Sequence, residues 1–545
     1  MTISTRWRRY AAAAIALTAS VGSVAAGPAA AGTTTGVTTA TTTVAGTTTA
    51  AAAAATEVSA PVPALRWKPC PGKPELRCTL ARVPLDYDKP TGATLLLDLV
   101  KVPATRPAAK LGSLFVNPGG PGGSSTDFAP SAAQELGALV RQRYDVIGID
   151  PRGVGAHSQI SCSTSMPAPP EAPPFPITLT QATSVWRVAQ WIRRGCQDDP
   201  NHVIDHMSTA DTARDMDLIR QAVGDERLNY FGFSYGTYLG TVYASMFPGR
   251  VGRFAIDGVL DPIAWVGTDP DTTPFTTRLR SAKGAYEALT TGLRVCDQVG
   301  KPECVFAGNA AGKWRTLVAE ARAGTLSYAG QPISYQELVG GVLGYLYMEN
   351  YSTMAATMQE VWANRDRRGA ADRGAASALS AQAERVARAP FLSPLARAEV
   401  PVSAFNGVGC ADTHNPTERS DWWRAGKGQD ASFPWFGSMW TWMSAACANW
   451  RPSAQADAWF GPMGGRTANP ILVVTSTYDP ATPIHGARKV ASLFPSSRLL
   501  RYNGWGHGAL GASNCAGAIY NRFYGTGTLP SAGTVCQPDQ GLFEH

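Results

Sequence analysis

The sequence predicts an α/β fold: a mostly parallel sheet with helices on both faces, interrupted by a large helical insertion. Three observations predict it. Short apolar runs end in glycine-rich or acidic turns, Ala-rich amphipathic stretches then replace them for about 200 residues, and the strand pattern returns near the C-terminus. In chain order, Leu95, Leu97 and Leu99 share one face of a first strand, and Asp98 on the opposite face places that strand near a sheet edge. The runs 113–116, 144–149 and 229–233 read as buried parallel strands, each followed by a turn, and 237–246 reads as the helix after the third. Residues 254–259 form the next strand. The stretches 282–293 and 354–363 are amphipathic helices, and 471–474 and 497–502 resume the sheet. The expected divisions are 61–262 for the first part of the sheet domain, 263–462 for a helical cap, and 463–545 for its return.

The 545 residues are 44% hydrophobic, ample for a large core, and carry a formal charge of +7. Arg6, Arg8 and Arg9 lie in a first segment, 1–31, that has no acid; without it the balance is 45 basic against 41 acidic residues, or +4. No basic run interleaved with aromatics occurs, so no nucleic-acid partner is expected. In segment 1–31 the arginines precede an apolar stretch of Ala, Ser, Thr and Gly and then small residues, the pattern of an export signal. It is too weakly hydrophobic for a stable membrane span. Residues 32–60 are almost wholly Thr, Ala, Gly and Val, a linker or pro-segment. Ten cysteines fall into local pairs, Cys70 with Cys78, Cys162 with Cys196, Cys296 with Cys304, Cys410 with Cys447 and Cys515 with Cys536. Nearest-neighbour pairing gives five disulfides and an extracytoplasmic location, secreted or in the cell envelope. No metal-ligand spacing accompanies them, and no metal or cofactor is expected.

Gly232-Phe233-Ser234-Tyr235-Gly236 fits G-x-S-x-G between a strand and a helix. Flanking glycines let a sharp turn form, lifting the serine hydroxyl above the strand ends. A hydroxyl is a poor nucleophile at neutral pH and needs a base and an acid that orients the base. His507, in Gly504-Trp505-Gly506-His507-Gly508 after the last strand, is the candidate base; the other six histidines are worse placed. Asp479, 28 residues before it, is the candidate acid, with Asp257 and Asp261 as rivals. An oxyanion needs backbone donors. One is the amide of Tyr235; the other comes from the turn 117–123, where Pro118 and Pro121 cannot donate and Gly120 or Gly119 can. That turn lacks the G-K-[ST] ending of a phosphate loop.

These residues resemble the secreted bacterial tripeptidyl aminopeptidases and their prolyl-aminopeptidase-like relatives within the α/β-hydrolases. The matching pieces are N-P-G-G-P-G-G-S at 117–124, D-P-R-G-V-G at 150–155, G-F-S-Y-G-T-Y-L-G at 232–240, D-P-A-T-P at 479–483 and G-H-G at 506–508. The resemblance covers the chain from about Trp67 onward and not the Thr/Ala segment. It implies an α/β-hydrolase fold with a helical cap, and release of short peptides from a free N-terminus through an acyl-enzyme. A peptide substrate of that kind carries an ammonium group, which a buried carboxylate holds by charge-assisted hydrogen bonds. Glu349, among Tyr345, Tyr347 and Tyr351, resembles the amine-binding segment of prolyl aminopeptidases, and Asp412 beside Cys410 is a second candidate. Two alternatives use the same residues differently: a secreted carboxylesterase, which needs no ammonium site, and a non-catalytic envelope binding protein.

Overall fold

The structure is a computed structural model that describes residues 59–160, 166–197, 199, 201–328, 330–365 and 404–544. The expected export signal, nearly all of the Thr/Ala segment and Cys162 lie outside the described residues.

Ten strands build one sheet: β1 (Lys68–Cys70), β2 (Lys73–Pro84), β3 (Thr94–Val102), β4 (Gly112–Asn117), β5 (Tyr144–Ile149), β6 (Leu228–Phe233), β7 (Val251–Asp257), β10 (Ile471–Tyr478), β11 (Arg498–Trp505) and β12 (Val535–Cys536); β8 (Ser327–Tyr328) and β9 (Gln331–Pro332) form a separate ribbon. The order is β1-β2-β3-β5-β4-β6-β7-β10-β11-β12, antiparallel from β1 to β5 and parallel from β5 to β12. Successive side chains alternate between two cores. Phe115, Ile147, Tyr230 and Val473 join one hydrophobic cluster, while Leu114, Val116, Val146, Phe231, Leu472 and Val474 join the other. Both faces are covered, which is why these strands read as unbroken apolar runs.

Leu95, Leu97 and Leu99 share a buried face, and β3 stands third from the β1 edge of the sheet, flanked by β2 and β5. Asp98 is polar there because it accepts from His157, through the backbone N–H at 3.0 Å and with ring Nδ1 2.7 Å away. The strands outside it, β1 and β2, escaped notice because β2 begins with three exposed residues and alternates poorly.

Between β7 and β10 the described chain forms helices and the small ribbon, including Ser281–Val299, Tyr335–Tyr347, Tyr351–Asn364 and Ala404–Asp412. Among the described residues no helix is long and apolar enough to cross a membrane. Four expected disulfides are present: Cys70–Cys78, Cys296–Cys304, Cys410–Cys447 and Cys515–Cys536.

Candidate active site

Ser234 stands between β6 and the helix Tyr235–Met246 with φ 56°, a left-handed conformation that costs a non-glycine residue about 1–3 kcal/mol. The surrounding packing holds it there. A Cβ on Gly232 would lie 2.3 Å from Gly236 O, so only glycine fits that corner. Ser234 is partly exposed, while residues 228–233 and 235–244 around it are, Asn229 apart, buried.

The turn after β4 closes on this corner. Gly119, at φ 88°, approaches so tightly that a Cβ would meet Tyr235 N at 2.7 Å and Ser234 Cβ at 2.9 Å. Asn117 shapes the turn, its Oδ1 accepting from Gly119 N at 2.9 Å and its Nδ2 donating to Ser125 Oγ at 3.1 Å. Gly119 N is thereby engaged, whereas the amides of Gly120 and Tyr235 have no acceptor among the described residues. The D-P-R-G-V-G stretch braces the same region. Asp150 accepts from Ser124 Oγ at 3.0 Å and Thr126 N at 2.9 Å, fixing the start of the Ser125–Glu135 helix. Arg152, fully buried, makes a bidentate pair with Asp215 at 2.6 and 2.8 Å and donates to the carbonyls of Pro84 and Leu85.

Asp479 follows β10 and His507 follows β11, and the two meet. His507 Nδ1 lies 3.0 Å from each Asp479 oxygen. Ala481 N and Thr482 N donate to Asp479 Oδ1 at 2.8 Å, and Thr482 Oγ1 and Gly508 N donate to Oδ2 at 2.9 Å. Burial alone would raise the Asp479 carboxyl, but the His507 charge and these hydrogen bonds outweigh it and hold it below its ordinary value. The rival Asp257 faces elsewhere, accepting from Ala509 N and Leu510 N, and burial pushes it up to about 6. Asp261 caps the short helix Pro262–Val266.

Phe233, the residue before Ser234, packs its ring against the His507 imidazole, with the centroids 5.0 Å apart. His507 Nε2 is buried with no hydrogen-bond partner among the described residues. A buried ring nitrogen in that state is a group poised for a proton or a donor.

The inserted helices pack against His507. Tyr347, at the end of the Tyr335–Tyr347 helix, accepts from His507 N at 3.1 Å and packs its ring 5.1 Å from the imidazole. Glu349 follows with φ 50°, half-buried, its Cβ 3.1 Å from where a Gly506 Cβ would stand, and its Oε1 accepts from Tyr502 OH at 3.2 Å. Asp412 is placed differently. It is 1% exposed, and Thr209 donates to both of its oxygens, N to Oδ1 at 2.8 Å and Oγ1 to Oδ2 at 2.5 Å. Sequence reasoning singled out neither Thr209 nor Arg152 as a partner, since nothing local announces a contact across the fold.

A serine on a strained strand-to-helix corner, an adjacent glycine turn and an Asp–His pair after the last two long strands define a hydrolase of the α/β-hydrolase class. Comparison with known proteins narrows it. The family model described as alpha/beta hydrolase fold matches residues 112–279, and that described as TAP-like protein matches residues 431–536. The tripeptidyl aminopeptidase of Streptomyces lividans is 30% identical over 85% of this chain and 84% of its own. Serine protease Hip1 of Mycobacterium tuberculosis is 28% identical over 87% of this chain and 91% of its own, and carboxylesterase B of the same organism is 28% identical over 85% and 86%. The chain belongs to the tripeptidyl-aminopeptidase-like family of α/β-hydrolases.

Proposed function

We propose that the protein is an exported serine exopeptidase that releases short peptides, tripeptides above all, from free N-termini. Ser234 Oγ attacks the scissile carbonyl while His507 Nε2 takes its proton, and Asp479 holds Nδ1–H and stabilises the imidazolium. The amides of Tyr235 and Gly120 receive the oxyanion. The intermediate collapses to an acyl-enzyme as His507 returns the proton to the leaving amine, and water repeats the sequence to release the peptide.

The observation that carries the exopeptidase reading is Glu349. It is a carboxylate held in a left-handed conformation at the end of a cap helix, against Gly506 and next to the base. Strain of that kind persists where the surroundings impose it and clusters at functional sites. Its carboxylate holds the substrate ammonium; Asp412, already gripped by Thr209, is the weaker candidate for that contact. Export is supported by the four disulfides, which persist in oxidising compartments.

The test compares a chromogenic tripeptide anilide bearing a free amine with its N-acetylated twin and a short-chain ester. Cleavage confined to the free-amine peptide supports the reading. Activity on the ester alone favours the second reading, an esterase, which the likeness to carboxylesterase B keeps in view.

A further inference from the structure

The Ala404–Asp412 helix touches both sides of the oxyanion site proposed above. Near its start it meets the glycine turn: a Cβ on Gly122 would lie 3.2 Å from Ala404 Cβ and 3.3 Å from Phe405 N. At its end Asp412 meets Thr209, the first residue of the Thr209–Ala222 helix. Thr209 Oγ1 is in turn hydrogen-bonded to the Tyr235 hydroxyl. All nine residues of the Ala404–Asp412 helix are buried, as are Thr209 and Tyr235.

A hydroxyl has one hydrogen. When Thr209 gives its own to Asp412 Oδ2, it can only accept from Tyr235, so the chain runs one way: Tyr235 O–H to Thr209 O–H to carboxylate. Tyr235 is also the residue whose backbone amide follows Ser234. We propose that Asp412 is a positioning residue that fixes the Tyr235 amide through Thr209, so that one cap helix braces both walls of the oxyanion site. The inference rests on the assignment of Tyr235 as an oxyanion donor.

Proton occupancy at Asp412 sets the direction of the chain. The groups facing it are Thr209, Tyr235, Tyr238 and the Trp265 indole, with Asp211 as the neighbouring like charge, and burial pushes the carboxyl up to about 7. Once protonated, Asp412 can donate to Thr209, whose own hydrogen then turns to the Tyr235 oxygen, so the chain reverses and loses its charge-assisted bond to the carboxylate. The brace therefore loosens below neutral pH.

The experiment measures kcat, KM and their pH profiles on the free-amine tripeptide anilide for Ser234→Ala, Tyr235→Phe, Thr209→Val, Asp412→Asn and the Tyr235→Phe/Asp412→Asn double variant. Near-UV circular dichroism monitors packing. Tyr235→Phe removes one oxygen and spares the amide, so it decides the matter if Asp412→Asn folds poorly. The expected result is a fall in kcat of about tenfold for Tyr235→Phe, Thr209→Val and Asp412→Asn, each with KM unchanged, loss of turnover in Ser234→Ala, and a double variant no worse than the weaker of its two singles. Asp412→Asn also removes the limb of the kcat profile near neutral pH, which a merely structural contact would leave in place. Wild-type kcat and profile in Tyr235→Phe, with Ser234→Ala inactive, overturn the brace and leave the nucleophile standing. Full turnover in Ser234→Ala overturns both.

Discussion

The backbone amide of His507 donates to the carbonyl of Tyr347 at 3.1 Å, tying the loop that carries the proposed base to the last turn of the Tyr335–Tyr347 helix. The Tyr347 ring adds an edge contact to the imidazole at 5.1 Å, opposite in origin to the Phe233 ring that comes from the sheet. The imidazole is thus oriented by aromatic rings from two parts of the chain, and the peptide bond of His507 by one of them.

Tyr347→Leu keeps the backbone hydrogen bond and removes only the ring edge. Aromatic pairs are worth about 0.5–1.5 kcal/mol beyond buried area, so kcat should fall by roughly two- to tenfold through a less ordered imidazole. Steady-state kinetics on the anilide read this directly. An unchanged kcat would mean that Phe233 and Asp479 suffice to orient the ring.

Asp479→Asn and Asp257→Asn separate two buried acids that sequence could only rank. Asp479 is the one in contact with His507, and losing its charge and tautomer control should lower kcat by about 10,000-fold. Asp257 holds the amides of Ala509 and Leu510, so its replacement should act mainly on stability, with a much smaller kinetic cost. Paired urea melts and turnover assays distinguish the two; comparable kinetic losses would make Asp257 a participant.

Stability should decline between about pH 4 and pH 7. Burial raises Asp211 and Asp257 to about 6 and Asp412 to about 7, so the folded chain binds these protons more tightly than the unfolded one. That contribution is complete below the ordinary carboxyl range and is lost as pH rises through the raised values. Asp479 works with the opposite sign: its lowered value stabilises above the ordinary range and fails only as pH falls through it. Urea midpoints should therefore be higher at pH 5 than at pH 7.5. Asp412→Asn, neutral throughout, should show a shallower decline; an equal slope would place the proton elsewhere.

Much of this was legible in the sequence because it depends on local rules. The serine corner needs Gly232 and Gly236 beside it, the buried strands β4 to β7 need unbroken apolar runs, and the chain order of Ser234, Asp479 and His507 follows from the strand order. The helix after Ser234 begins at Tyr235, two residues before its expected start, since the corner itself supplies the first turn. What stayed hidden depends on distant partners. Thr209 lies 203 positions from Asp412, and Asp257 lies 252 from Ala509, so nothing near any of them marks the contact. The strands β1 and β2 were missed for a different reason: β1 is a three-residue edge strand, and beside it β2 begins with three exposed residues that blur the alternation.

The disulfide Cys410–Cys447 gives a last prediction. It joins the buried Ala404–Asp412 helix, two residues before its end, to the turn Ala445–Cys447, closing a separation of 37 residues. A loop of that size stabilises by about 4 kcal/mol in the chain-entropy account. The bridge Cys70–Cys78 spans only 8 residues at the far edge of the sheet, beyond four strands from β6, which leads into Ser234. Replacing each pair by serines should therefore separate stability from catalysis. The Cys410/Cys447 variant should lose both thermal stability and kcat, because the helix that faces Gly122 and Thr209 is released with it. The Cys70/Cys78 variant should lose stability alone. Calorimetry with steady-state kinetics on both variants decides: if kcat survives in the folded Cys410/Cys447 variant, tertiary packing alone holds that helix, for all nine of its residues are buried, and the bridge serves only the unfolding equilibrium.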